Sequence, residues 1–246
     1  MAGLLEFVED AIRELDGGKT FFDPESFPWV RRVESRWTRI RHELDSLMSV
    51  VDLLPGFEEI QVEQCDLTTD KRWKIFPLFA YGHWVGRNRF RCPETVNALH
   101  EIDGLQAAMF SILQPGKILE PHRGPYSGVL RYHLGLRIPK PESQCGIRVG
   151  EDTRNWYEGK SLVFDDSHMH NAWNHSDRDR VVLFVDFARP LPAQISMLND
   201  SVIDEISKSD FIRGAVKKWQ EWEGIHGIRL DALLSKTRDG DEYGTI

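Results

Sequence analysis

Two short stretches concentrate the side chains that do chemistry. FDDSHMHNAW, residues 164–173, sets His168 and His170 two apart behind Asp165 and Asp166, and EPHRGP sets His122 ahead of Arg123 and Gly124. Imidazole and carboxylate groups move protons and ligate first-row metals, so metal-assisted or acid–base chemistry is what such stretches offer. His122 and His170 each stand beside a β-type run, far apart in sequence. In a jelly-roll barrel positions of that kind meet at one open end, where two imidazoles with open coordination sites suit Fe(II), an ion able to activate oxygen. The alternative is a pair of ordinary solvated loop histidines, and spacing alone does not decide between the two. His168 shares a face with His170 if a strand already runs there, as an extra ligand or a substrate contact; in a turn it is only a neighbour, the reading preferred here.

The charges between these stretches are patterned. In LRYHLGLRI, strand alternation turns Arg131, His133 and Arg137 to one face and Tyr132, Leu134, Leu136 and Ile138 to the other. A row of Arg, His and Arg behind four apolar residues fits a polar cavity that binds an anion; a solvent-exposed face gives the same pattern. Arg180 weighs on the side of the cavity. It opens the apolar run VVLFVDF, and a guanidinium carried into a core requires an anionic partner. A dicarboxylate bound to metal at one end and to Arg180 at the other supplies it, and 2-oxoglutarate has that form.

These side chains need a frame, and the composition permits one: 41% of the 246 residues are hydrophobic, with thirteen Phe and eight Trp. Leu4, Leu5, Val8, Ile12 and Leu15 recur at helical spacing, and beyond DGGKTFFDPESFP the set Val30, Val33, Trp37, Ile40, Leu44 and Leu47 predicts a second helix. From Lys71 the runs RWKIFPLFAYG, AAMFSILQPG, GVLRYHLGLRIP, CGIRVG, KSLVFDD and RVVLFVDFARP predict a sandwich or barrel, interrupted by a helix at PETVNALHEI with Pro93 in its first turn. Past Pro192 the pattern is helical again, and the polar tail KTRDGDEYGTI is expected to fray. No repeat or linker divides the chain. One domain is expected over residues 1–246, with N-terminal helices in 1–55, the β core in 71–192 and C-terminal helices in 195–235. A net charge of −8 and a pI near 5.6 argue against nucleic-acid binding. Cys65, Cys92 and Cys145 form neither a C-x-x-C site nor an even disulfide set, which fits a reducing cytoplasm. The acidic start MAGLLEFVED is unlike a signal peptide, and no apolar stretch approaches the roughly 18 residues of a membrane span, so no transmembrane segment is expected.

Taken in order, FSILQPGKILEPHRGP, LRYHLGLRIP, WYEGKSLVFDDSHMHNAWN and RDRVVLFVDFARP resemble the aspartyl/asparaginyl β-hydroxylase family of Fe(II)- and 2-oxoglutarate-dependent dioxygenases. The likeness runs from Trp73 to Pro190. The ordered set H-x-G-P, R-x-H-L-G-L, F-D-D-S-x-x-H and a later Arg is far more specific than any one element. The resemblance implies a mostly β fold with flanking helices, a double-stranded β-helix of the jelly-roll, cupin-like kind. It implies iron held by His122 and His170, the catalytic centre, with Gly124 where a triad Asp would stand. Ser111 and Arg180 match the positions that hold the distal carboxylate of 2-oxoglutarate, and Arg131 and His133 match a pair lining the same pocket. The implied reaction takes molecular oxygen and hydroxylates an unactivated sp³ carbon, foremost the β-carbon of an aspartyl, asparaginyl or related amino-acid-derived substrate.

Two departures bear on the substrate. Val129 stands where members acting on Asp or Asn in folded-domain peptides carry a second Arg, and HRGPYSGVLRYHLGL also resembles the related lipid A acyl-chain hydroxylases, which are membrane-associated. Hydroxylation of a lipid acyl chain is therefore the alternative. A cupin-like domain that binds without turnover is a third class, opposed by the intact set His122, His170 and Arg180. Asp165 and Asp166 either orient a ligand histidine from behind or are solvated acids of a turn. Arg87, Arg89 and Arg91 in GRNRFR, with Arg123 beside a ligand, fit either an anionic substrate or a solvated charged face. Trp73, Trp84, Trp156 and Trp173 belong to a pocket wall or to the core.

Overall fold

A computed structural model describes residues 2–62 and 67–241; Cys65 and residues 242–246 of the polar tail lie outside the described residues. Two antiparallel sheets carry the site. The larger has seven strands in the order β1 (Phe21–Phe22), β9 (Ser161–Phe164), β6 (Val129–Arg137), β11 (Arg180–Ala188), β4 (Leu105–Leu113), β2 (Trp73–Ala80) and β3 (His83–Trp84). The smaller has four: β5 (Ile118–His122), β10 (His170–Asn174), β7 (Cys145–Val149) and β8 (Asp152–Asn155).

Alternation along the long strands gives the larger sheet two unlike faces. One is apolar, with Phe76, Phe110, Tyr132, Leu134 and Leu183 all buried, and helices cover it. Trp29, at the start of α2 (Val30–Glu34), meets Tyr132 and Phe187 edge-on, each at 5.0 Å. On the same face Trp219 of α8 (Asp210–Asp241) meets Phe76 edge-on at 5.8 Å. The other face carries Arg131, His133, Ser111 and Arg180 and looks toward the smaller sheet, whose Leu119, Ile147, Val149 and Ala172 join the same core. The result is a double-stranded β-helix of the cupin-like kind with flanking helices.

Several elements differ from the periodicity. The second N-terminal helix is broken into α2 and α3 (Trp37–Met48), because Ser35 Oγ donates to Arg32 O at 2.7 Å and draws that carbonyl out of the helical ladder. The C-terminal helices expected over 195–235 are α7 (Ala193–Ser207) and α8, with Ser209 Oγ accepting from Ile212 N at 3.4 Å as α8 begins. The tail does not fray where the polar composition begins. α8 continues to Asp241, since each residue added to an existing helix gains a backbone bond. Arg137 also leaves the row expected of it. A register shift between Val181 and Val182 interrupts the β6–β11 ladder, and Arg137 turns to Asp45 of α3 at 2.9 Å.

Candidate active site

β5 and β10 pair antiparallel, and their register sets His122 opposite His170. The ring centroids are 4.2 Å apart, tilted by 53°. Each Nδ1 is held by a backbone carbonyl two residues back, His122 by Glu120 O at 2.7 Å and His170 by His168 O at 3.0 Å. An imidazole whose Nδ1–H donates to a carbonyl is fixed as the tautomer with its lone pair on Nε2, the form that ligates metals. Burial lowers both pKa values, that of His170 to about 3, helped by the facing His122 and by Arg131. Both rings are therefore neutral at physiological pH, as ligation requires.

The orientation expected of Asp165 and Asp166 thus comes from main-chain oxygens instead, and the two acids have other partners. Asp165 accepts from Ser167 N at 2.9 Å and pairs with buried Arg189, which pins the FDDS turn. The Asp166 carboxylate is 2.8 Å from Arg131 and occupies the space that a Cβ on Gly124 would enter. Burial pushes this carboxyl above the usual carboxylate range, opposed by Arg131 and aided by Asp186 and Asp165. Among the described residues no group of three His, Cys, Asp or Glu side chains converges to hold a metal. His168 lies against the Gly18 turn.

The two arginines of the inner face differ sharply. Arg131 is neutralised: it reaches Asp186 at 2.8 and 3.1 Å and Asp166 at 2.8 Å, and its guanidinium lies 4.1 Å from the Phe184 centroid. Arg180 is 2% exposed and stacks over Trp156 at 4.5 Å; among the described residues it reaches the Ser111 carbonyl alone, at 3.5 Å, and its Nε has no partner. Burial without a counter-charge lowers its pKa to about 9. Beside it, both ring nitrogens of His133 are buried and, among the described residues, unpartnered, and burial together with Arg180 and Arg131 drives its pKa well down. Ser111 Oγ accepts from Trp73 Nε1 at 3.0 Å, which leaves its own hydroxyl proton to donate. Buried donors are ordinarily satisfied, so a guanidinium and an imidazole lying against the same Trp156 ring, with a serine hydroxyl beside the guanidinium, can act as a receptor for an anion.

An apolar cavity of about 180 Å³ opens on His122, Gly124 and Arg131, with Trp73, Ile75, Pro77, Met109 and Phe184 among its walls. The cluster in GRNRFR takes no part in it. Arg87 pairs with Asp231 at 3.0 Å, and buried Arg91 pairs with Glu223 at 2.5 Å and Asp231 at 2.8 Å, so these cations clamp α8 to the barrel. Trp73 and Trp156 belong to the site, Trp84 packs on Phe79 at the sheet edge, and Trp173 stacks with His175. Asp186 was missed from the sequence, though a lone acid inside the run VVLFVDFA is a signal that some cation must meet it.

The aspartyl/asparaginyl beta-hydroxylase family model matches residues 34–190. The chain belongs to this family. It is 42% identical over 222 residues to an ornithine lipid ester-linked acyl 2-hydroxylase of Rhizobium tropici, covering 90% of this chain and 79% of that protein. It is 35% identical over 169 residues to the human aspartyl/asparaginyl beta-hydroxylase, covering 65% of this chain and only 21% of the human protein. Among solved structures, a Cupin_2 domain of an XRE family transcriptional regulator from Enterobacter cloacae aligns with a TM-score of 0.34 and 14% identity, over 48% of this chain and 99% of that one. With hydroxylases on both sides of the family, this chain is an enzyme of the hydroxylase class, and its family motifs lie where the two sheets face each other.

Removing either imidazole by His122→Ala or His170→Ala should abolish Fe(II) binding in an anaerobic titration, whereas His168→Ala should leave it intact; loss in the His168 variant alone overturns the ligand pair. Gly124→Asp should lower hydroxylation, because the new side chain collides with the Asp166 carboxylate. A more active variant in a succinate-release assay would show that a third protein ligand is wanting.

Proposed function

We propose that the chain is an Fe(II)- and 2-oxoglutarate-dependent hydroxylase acting on an acyl chain, with His122 and His170 holding the metal. The donor set fits that group: two neutral imidazoles with Nε2 free, and an anion receptor close by. Bound there, Fe(II) and 2-oxoglutarate supply an oxidation in which one atom of O₂ enters a substrate C–H bond and the other enters succinate, with release of carbon dioxide.

The protein's own part is to bind, orient and exclude water. Arg180 offers the distal carboxylate a planar pair of donors, Ser111 offers its hydroxyl proton, and His133, neutral, offers one N–H. Arg131 keeps Asp166 and Asp186 from repelling each other and fixes the floor between cosubstrate and substrate. Phe184 and Phe164 stand over His133 at 5.2 and 5.0 Å and limit water there.

The apolar cavity carries the choice of substrate. An aspartyl or asparaginyl side chain calls for cationic or hydrogen-bonding partners; Arg131 is already neutralised and Val129 is buried with Val8, Ile12 and Val202, so Arg123 is the cation that the cavity lining offers, against walls that are otherwise mainly apolar. A methylene chain asks only for apolar walls. The Rhizobium tropici relative is named for the ester-linked acyl chain of an ornithine lipid, which agrees with such walls, and we take the same class of substrate for this chain. Among the described residues no helix is long and apolar enough to cross a membrane.

Arg180→Ala should weaken 2-oxoglutarate binding at least about 30-fold, the loss of one side of a buried charge pair being worth on the order of 2 to 5 kcal/mol, while Fe(II) affinity stays near wild type. Arg180→Lys should not restore it, since a point charge lacks the planar fork. Anaerobic calorimetry reads both. The substrate reading is tested by mass spectrometry after incubation with Fe(II), 2-oxoglutarate and oxygen: an acyl-ester amino-acid lipid should gain one oxygen, and an aspartyl peptide should not. The reverse result restores the amino-acid substrate.

A further inference from the structure

One wall of the cavity comes from neither sheet. Phe211, Ile212, Ala215, Val216 and Trp219 of α8 line the same space as Ile75 and Met109. Their spacing of i, i+1, i+4, i+5 and i+8 puts them on one helical face. That face is fixed in rotation. Trp219 is 1% exposed against Phe76, and about one and three turns further on Glu223 and Asp231 are gripped by Arg91 and Arg87. The helix is thus a rigid wall, and Ala215, its smallest lining side chain, leaves room in front of it.

The family match ends at residue 190, so α8 lies wholly beyond the segment that the family model covers. A match covering 90% of a 246-residue chain, by contrast, necessarily takes in residues 211–219, and that match is to the acyl hydroxylase. An apolar cavity of about 150 Å³ stays dry and accepts a benzene-sized guest; the present one, at about 180 Å³, holds a run of methylenes.

We infer that the Phe211–Trp219 face of α8 is the acyl-chain wall of the active site and sets the length of chain accepted. The inference rests on the acyl reading above. An acyl chain entering past Gly124 leaves the two histidines behind it and extends along the helix, so bulk added at Ala215 shortens the space available to the tail.

The test is calorimetric titration of octanoate, decanoate and dodecanoate into the full chain. Wild type should bind the longer chains progressively tighter, as burial of each added methylene favours. Ala215→Trp should weaken dodecanoate at least about 10-fold, leave octanoate within about twofold, and flatten the dependence on length. Fe(II) titration into the same variant should be unchanged. Val216→Phe should act in the same direction and decides the matter if Ala215→Trp does not fold, and Lys217→Trp, on the exposed side of α8, should bind like wild type. Unaltered length dependence in Ala215→Trp and Val216→Phe overturns the role of α8 and leaves the acyl reading standing. Absence of binding by wild type, or binding without dependence on length, overturns the acyl reading and this inference together.

Discussion

The pairing of β5 with β10 is the contact on which the site depends. It joins two stretches distant in sequence, and because the side-chain period of a strand is two, a slip of one residue would send one imidazole to the far side of the smaller sheet. In the observed register His122 and His170 face each other at 4.2 Å. Each ring is then turned by a carbonyl of its own approach segment, Glu120 O or His168 O, so tautomer and orientation follow from the backbone and need no acidic partner. That arrangement frees Asp166 to fill the space beside Gly124, where a larger residue at position 124 would displace it.

Charge placement on the opposite sheet follows from the same geometry. β6 and β11 both send charged side chains inward, and burying a guanidinium is tolerable only when an anion meets it. At one level the protein supplies the anions itself: Arg131 lies among Asp166 and Asp186. Near the other end of β11, Arg180 has an aromatic face and a carbonyl but, among the described residues, no carboxylate. The first arrangement builds a rigid floor; the second leaves a demand that a ligand can meet. Two residues of the same type on the same face thus have opposite roles, and only the presence or absence of acid neighbours distinguishes them.

How much of this was legible depends on how local the signal is. The strands β2, β4, β6, β9 and β11 announce themselves through apolar, β-branched and aromatic runs, and the helices through their period. β5 and β10, the strands that carry the histidines, do not. ILEPH holds a proline and a glutamate and HNAWN two asparagines, residues of low strand preference that are strands because neighbouring strands pair with them. His122 and His170 could therefore be singled out only as candidates beside strands, their role as a ligand pair being implied by the resemblance. The partners of Arg131 were illegible for a related reason: Asp166 sits in a turn and Asp186 on another strand, and nothing in either stretch states that they meet. The GRNRFR arginines pointed the other way, since their counter-charges lie on α8, more than a hundred residues downstream.

The barrel separates the part of the site that must stay constant from the part that can vary. The histidine pair and the candidate anion receptor lie on strands within the segment matched by the family model, held by backbone ladders, with His122 held through the β5–β10 pairing alone. The cavity beyond them is closed by a helix outside that segment, joined to the barrel through side chains rather than through a backbone ladder. Side-chain contacts tolerate substitution more readily than register does, so the helix face can change shape without moving the imidazoles. A family with one chemistry can then serve substrates as unlike as an amino-acid side chain and a lipid tail, because the residues that touch the reacting centre and the residues that touch the remainder of the substrate belong to elements held in place by different forces.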